Sequence, residues 1–319
     1  MMAFNIDNLK VYGRRLLLPL LAGALLLPII GCDSKPSEIE DYDPDPVLSA
    51  FITNGEPVDT IYVEWVGKFH DEYIISELGI TNADVILFPV STLSGNPPVN
   101  NDTLTFHYTG IDGEYAPDDL SYIIEGKVRY RIEAKSPDID IWAETTVPDT
   151  FSYEVYQGDQ LVTIDPVTHE LQGARGDTLT RLDDDLFYRW SESEGSDGLL
   201  LGIHALGERD EIVPLSPEYD PASDPENEAL AEMVENWPLF IYMPAPDYQN
   251  EVTLSWLYML WTGPTKIMLD ACSEDYYLYI FTNIASQETY SNIQGGLGIF
   301  GATAKQYMYI TMERVEIEE

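Results

Sequence analysis

"YSNIQGGLGIFGATAKQY" (residues 290–307) carries the spacing G-x-G-x-x-G at Gly296, Gly298 and Gly301, and its reading decides the fold. As a dinucleotide fingerprint, these glycines would close a strand and open a helix inside a βαβ unit. The helix N-terminus would hold a pyrophosphate, and an acid about 20 residues on would take a ribose. Only 18 residues follow Gly301, and they alternate as a strand, so no helix and second strand can follow. The glycines therefore read as a tight backbone path, with Leu297, Ile299 and Phe300 inserted into the core. No nucleotide cofactor is expected.

Upstream, the chain reads as short strands punctuated by turn residues. "PVLSAFI" (46–52), "DTIYVEWV" (59–66), "ADVILFPV" (83–90), "DTLTFHY" (102–108), "GKVRYRIEA" (126–134) and "IWAETTVP" (141–148) are separated by Gly, Asn, Asp and Pro clusters. In "DTIYVEWV", Ile61, Val63 and Trp65 share one face. Period-2 patterning at this spacing predicts a sandwich of about 100 residues. The expected fold is mainly β. An immunoglobulin- or transthyretin-like β-sandwich spans 47–148, and a β-rich C-terminal domain with one or two short helices spans 149–319. In that second region "FSYEVYQ", "QLVTIDPV", "DLFYRWSE", "LLLGIHAL" and "VTLSWLYMLW" (252–261) read as strands. Residues 223–238 form a helical pattern capped by Asp224 and ended by Pro238. A second helix is predicted over 273–286, capped by Ser273 with Glu274 and Asp275 in its first turn.

The N-terminus carries a different signal. Lys10, Arg14 and Arg15 precede an uncharged apolar run, "LLLPLLAGALLLPII" (16–30), which ends in "GC" at Gly31 and Cys32. A spanning helix needs about 20 apolar residues, and Pro19 and Pro28 weaken this run further. Residues 1–31 read as a signal peptide, and the small residue before Cys32 resembles the lipobox of bacterial lipoproteins. That resemblance implies cleavage before Cys32 and acylation of its sulfur, anchoring the chain in a bilayer. It also excludes an intramolecular disulfide, since the chain has two cysteines. Residues 32–46 read as an acidic flexible tether.

Acids outnumber bases 56 to 16, a formal charge of −40. Removing residues 1–31 takes away three bases and one acid, which gives −42. Such a surface repels nucleic acid and anionic lipid and suits cationic ligands or divalent ions. No metal site stands out. "DYDPDP" (41–46) has Pro46 where a calcium loop needs Gly, and the acidic runs 182–185 and 218–228 lack ligand spacing. His70, His107, His169 and His204 stand far apart, and "EGSDG" (194–198) is not a nucleophile elbow. Trp65, Trp142 and Trp190 would suit a sugar- or peptide-binding face if exposed.

"SEDYYLYI" (273–280) followed by "YSNIQGGLGIFGA" (290–302) resembles the C-terminal signature of envelope lipoproteins grouped as domain of unknown function 4249, abundant in Bacteroidota-type bacteria. "PVLSAFITNGEP", "TNADVILF", "DGEYAP" and "WAETTVP" are similar to its N-terminal half. The resemblance implies a lipoprotein of the cell envelope, in the outer membrane, often beside TonB-dependent transporter components and without established enzymatic activity. The expectation is a non-enzymatic protein that acts by binding, accessory to such a transporter. The alternatives are a structural or adhesive surface protein and a hydrolase using two carboxylates.

Overall fold

Alternating burial organises the first half of the molecule. The computed structural model describes residues 44–67, 78–173, 176–207, 213–216, 240–245, 250–255, 258–285 and 290–315. The signal peptide, most of the tether, His70, the helical pattern at 223–238 and the acidic run at 218–228 lie outside the described residues. Strands β1 (Pro46–Thr53), β2 (Ile61–Trp65), β3 (Asp84–Thr92), β4 (Leu104–Tyr108), β5 (Glu114–Pro117), β6 (Val128–Lys135) and β7 (Asp140–Thr146) send every second side chain inward. In β6, Val128, Tyr130, Ile132 and Ala134 are buried, while Arg129 and Lys135 are exposed. The hydrogen-bonded order is β1-β2-β5-β4-β3-β6-β7.

The final strand, β17 (Leu297–Glu313), ties this half to the next. Its first residues run parallel to β1, from Val47 opposite Leu297 to Thr53 opposite Thr303. Just before it, Gln294 exchanges two backbone hydrogen bonds with Trp142 of β7, at 2.8 and 3.2 Å. The path of strands thereby returns on itself around one apolar cluster that includes Leu48, Leu87, Ile132, Ile141 and Phe300. Fully burying a side chain such as Phe300 contributes about 2–3 kcal/mol.

The second half holds β8 (Tyr153–Gln157), β9 (Gln160–Ile164), β10 (Leu171–Gln172), β11 (Thr178–Thr180), β12 (Leu186–Trp190), β13 (Gly198–Ala205), β14 (Phe240–Ala245), β15 (Glu251–Leu254) and β16 (Gly263–Cys272). The later part of β17 pairs with β16, which pairs with β13, which pairs with β14. A separate five-stranded sheet has the order β10-β9-β8-β12-β15. A second cluster draws Tyr188 and Leu254 from the five-stranded sheet and Leu201, Leu269 and Met308 from the other. Tyr153 donates to the Tyr307 carbonyl at 3.0 Å, and burial pushes its phenol up to about 12. The helix α1 (Glu274–Ala285) follows β16 directly. Among the described residues no helix is long and apolar enough to cross a membrane.

The protein is thus mainly β, as the strand spacing predicts. Two local expectations need correction. The apolar run 252–261 is not one strand: β15 stops at Leu254, and Tyr258 N–H bonds the Ser255 carbonyl instead of a neighbouring strand. A run with no alternation carries no period to mark where a strand ends. Leu297 does not enter the core; it is 42% exposed, whereas Ile299 and Phe300 are buried.

Candidate functional site

The glycine motif answers to packing. An added methyl on Gly296 would strike the Pro46 carbonyl oxygen, and one on Gly298 the Leu48 carbonyl oxygen. Gly298 also has a φ of +111°, a conformation that side chains strongly disfavour. A methyl on Gly301 would lie 2.9 Å from Cβ of Tyr276 on α1. Around these contacts Asn292 imitates a strand residue. Its amide accepts from Phe300 N–H and donates to the Phe300 carbonyl, both at 2.9 Å. Ser273 caps α1 by accepting from Tyr276 N–H at 3.4 Å and also accepts from Ala302 N–H at 3.1 Å. Tyr276 meets Phe51 of β1 edge to face, with ring centroids 5.4 Å apart. The "DYYLY" and "SNIQGGLGIFGA" stretches therefore form one staple of helix, β17 and β1.

A cleft of about 470 Å³ opens beside the β12–β13 connection, its apolar wall drawn from the second core. Phe151 and Trp190, 6% and 8% exposed, form its aromatic lining, and Glu192, Ser193, Ser196, Asp197 and Asn250 supply its polar groups. Its size falls in the range of small-ligand sites. The connection is held from several sides. Ser191 N–H bonds the Ser152 carbonyl at 2.8 Å, Asp149 N–H the Glu194 carbonyl at 2.9 Å, and Asp197 N–H the Cys272 carbonyl at 3.0 Å. Lys127, from the first half, reaches Asp149 at 2.8 Å and Glu194 at 4.0 Å. The Lys127 ammonium holds the Asp149 carboxyl below the usual carboxylate range.

The hydroxyls of the cleft are already committed as donors. Ser193 donates to the Asp149 carbonyl at 2.7 Å and Ser196 to the Gly198 carbonyl at 2.9 Å. Neither is hydrogen-bonded to a base, as an activated nucleophile must be. Glu192 and Asp197 are both solvent-exposed, whereas the acid of a carboxylate pair is normally kept protonated by burial. The lining suits binding better than bond breaking.

Other residues singled out in the sequence lie elsewhere. His107 contacts Asp118 through Nδ1 at 2.7 Å on an exposed strand surface, and Thr105 donates to the same carboxylate. These bonds, Thr105's first and His107's next, pull the Asp118 carboxyl below its usual range. His169 stacks beside Tyr307, and His204 sits on β13. Within the 182–185 run, the Asp183 carboxylate accepts from Thr180 N–H at 2.7 Å and Thr180 Oγ1 at 2.9 Å, closing a turn. Trp142 lies under Arg131 at 3.9 Å, Trp65 packs against the first core, and Trp190 alone of the three lines the cleft. Ser196 and Asp197 lie in the "EGSDG" stretch, which forms no nucleophile elbow, and no motif marks Glu192, Ser193 or Asn250.

Comparison with curated proteins gives no match. A family model spans most of the chain, including the first core, the cleft and the helix–glycine staple: over residues 34–307 the chain belongs to the family described as Domain of unknown function (DUF4249).

Proposed function

We propose that this chain is an outer-membrane lipoprotein, anchored through acylated Cys32, that binds a ligand in the Glu192–Asp197 cleft as an accessory to a TonB-dependent transporter. The cleft carries this reading: it is of ligand size, it joins aromatic and polar groups, and its serine hydroxyls donate to backbone rather than to a base. The anchoring half rests on the basic patch, apolar run and Gly31–Cys32. Two or more acyl chains hold a protein stably, since each buried methylene contributes about 0.8 kcal/mol. A hydrolase is the second reading, because two carboxylates share the cleft.

Cys32→Ser tests the anchor. The wild-type protein should partition with membranes and carry the mass of a diacylglycerol adduct, and the variant should be released or remain unprocessed. Unchanged mass and fractionation would defeat the anchoring proposal. Turnover of any polymer that Glu192→Gln abolishes would favour the hydrolase.

A further inference from the structure

We infer that the cleft selects a cationic ligand, one bearing an ammonium or guanidinium group beside a hydroxyl or carbonyl oxygen. This rests on the cleft being the binding site. Because Ser193 and Ser196 spend their hydroxyl protons on the Asp149 and Gly198 carbonyls, they offer a ligand only lone pairs. Glu192 and Asp197 are acceptors when ionised, so four side chains around one cavity present oxygen acceptors. Among the described residues no basic side chain lines it. The nearest cation in the supporting shell, Lys127, is engaged with Asp149 and Glu194.

Two further features shape the choice. Trp190 is 8% exposed and offers a ring toward which cations are attracted. The Trp190 indole and the Asn250 amide add N–H groups that can donate to a neutral oxygen next to the cation. A cleft lined by one sign of charge, in a chain of formal charge −40, also focuses negative potential on the ligand. A bare anion is excluded by the same lining, and a wholly neutral ligand would leave the carboxylates without charged partners.

The test compares two probes of one shape: the β-1,4-linked glucosamine trimer and the β-1,4-linked glucose trimer, which differ by ammonium against hydroxyl on each ring. Both are titrated calorimetrically into the mature chain in neutral detergent, at moderate salt and mildly acid pH, where the amines are charged. Calcium is a third arm. Glu192→Gln with Asp197→Asn removes two of the chain's many negative charges, and Glu56→Gln with Asp159→Asn removes two exposed ones away from the cleft. The expected result is saturable binding of the glucosamine trimer, weakened about tenfold or more by the cleft pair and unchanged by the remote pair. Equal weakening by both pairs, or none by either, would assign the binding to the general acidic surface and overturn the inference. Glucose-trimer binding of equal strength would overturn the cationic preference while leaving the cleft as a ligand site. Saturation by calcium alone, or by none of the three, would also overturn it.

Discussion

Gly298→Ala probes the joint on which both halves of the molecule depend. The residue sits in the parallel pairing of β1 with β17, opposite Leu48, at a φ of +111°. An alanine held there is strained by about 1–3 kcal/mol. Its methyl would also overlap the Leu48 carbonyl oxygen, so the strands must separate locally. Each backbone hydrogen bond lost in that separation costs about 1 kcal/mol. Together these predict a destabilisation of about 3 kcal/mol or more. Gly55 is the internal control, because it has a φ of +76° with open space around it. Gly55→Ala should therefore show the backbone strain alone, about 1 kcal/mol. Urea unfolding followed by tryptophan fluorescence gives both values, and equal costs for the two variants would refute the close-approach account. Neither NAD nor ATP should raise the wild-type melting temperature, and a clear rise would restore the nucleotide reading.

Asn292→Ala should cost about 2 kcal/mol in the same assay, since it leaves both backbone groups of the fully buried Phe300 without their partners. Asp149 and Glu133 have carboxyls lowered by Lys127 and by Lys135 with Arg131, so their stabilisation is present above the unfolded carboxylate range. It is lost as pH falls through the lower folded values, below about pH 4. Lys127→Met should flatten part of that acid limb in a pH series of unfolding free energies, and an unchanged limb would remove Lys127 as its cause. With a formal charge of −40, melting temperature should rise from low to moderate ionic strength, equally in sodium and calcium chloride at matched ionic strength. A calcium-specific rise abolished by Asp183→Ala with Asp185→Ala would reveal a metal site in that turn.

Local signals reached the strands and one helix. Ile61 and Val63 alternate in sequence and in burial because one face of β2 meets a core and the other does not. Ser273 announced α1 because capping is settled within a few residues. The partner of β17 was not legible. Val47 meets Leu297 across 250 residues, and nothing in either segment encodes the other. Leu297 stays outside the core for a related reason: β17 buries Ile299 and Phe300 in succession, and the unusual backbone at Gly298 breaks the alternation that would assign a face. Of the cleft, Trp190 could be singled out as an aromatic. The roles of Ser193 and Ser196 depend on the Asp149 and Gly198 carbonyls, which the β12–β13 connection meets only in the folded chain.

The central proposal is that this chain is an anchored lipoprotein that binds on behalf of a transporter, and native capture tests it most directly. The protein should be tagged at its C-terminus, expressed at its own level, and isolated from gently solubilised membranes beside the Cys32→Ser variant. The account predicts that a TonB-dependent transporter polypeptide is recovered in near-stoichiometric amount with the wild type and is lost with Cys32→Ser. Recovery of the anchored protein without any such transporter would contradict it.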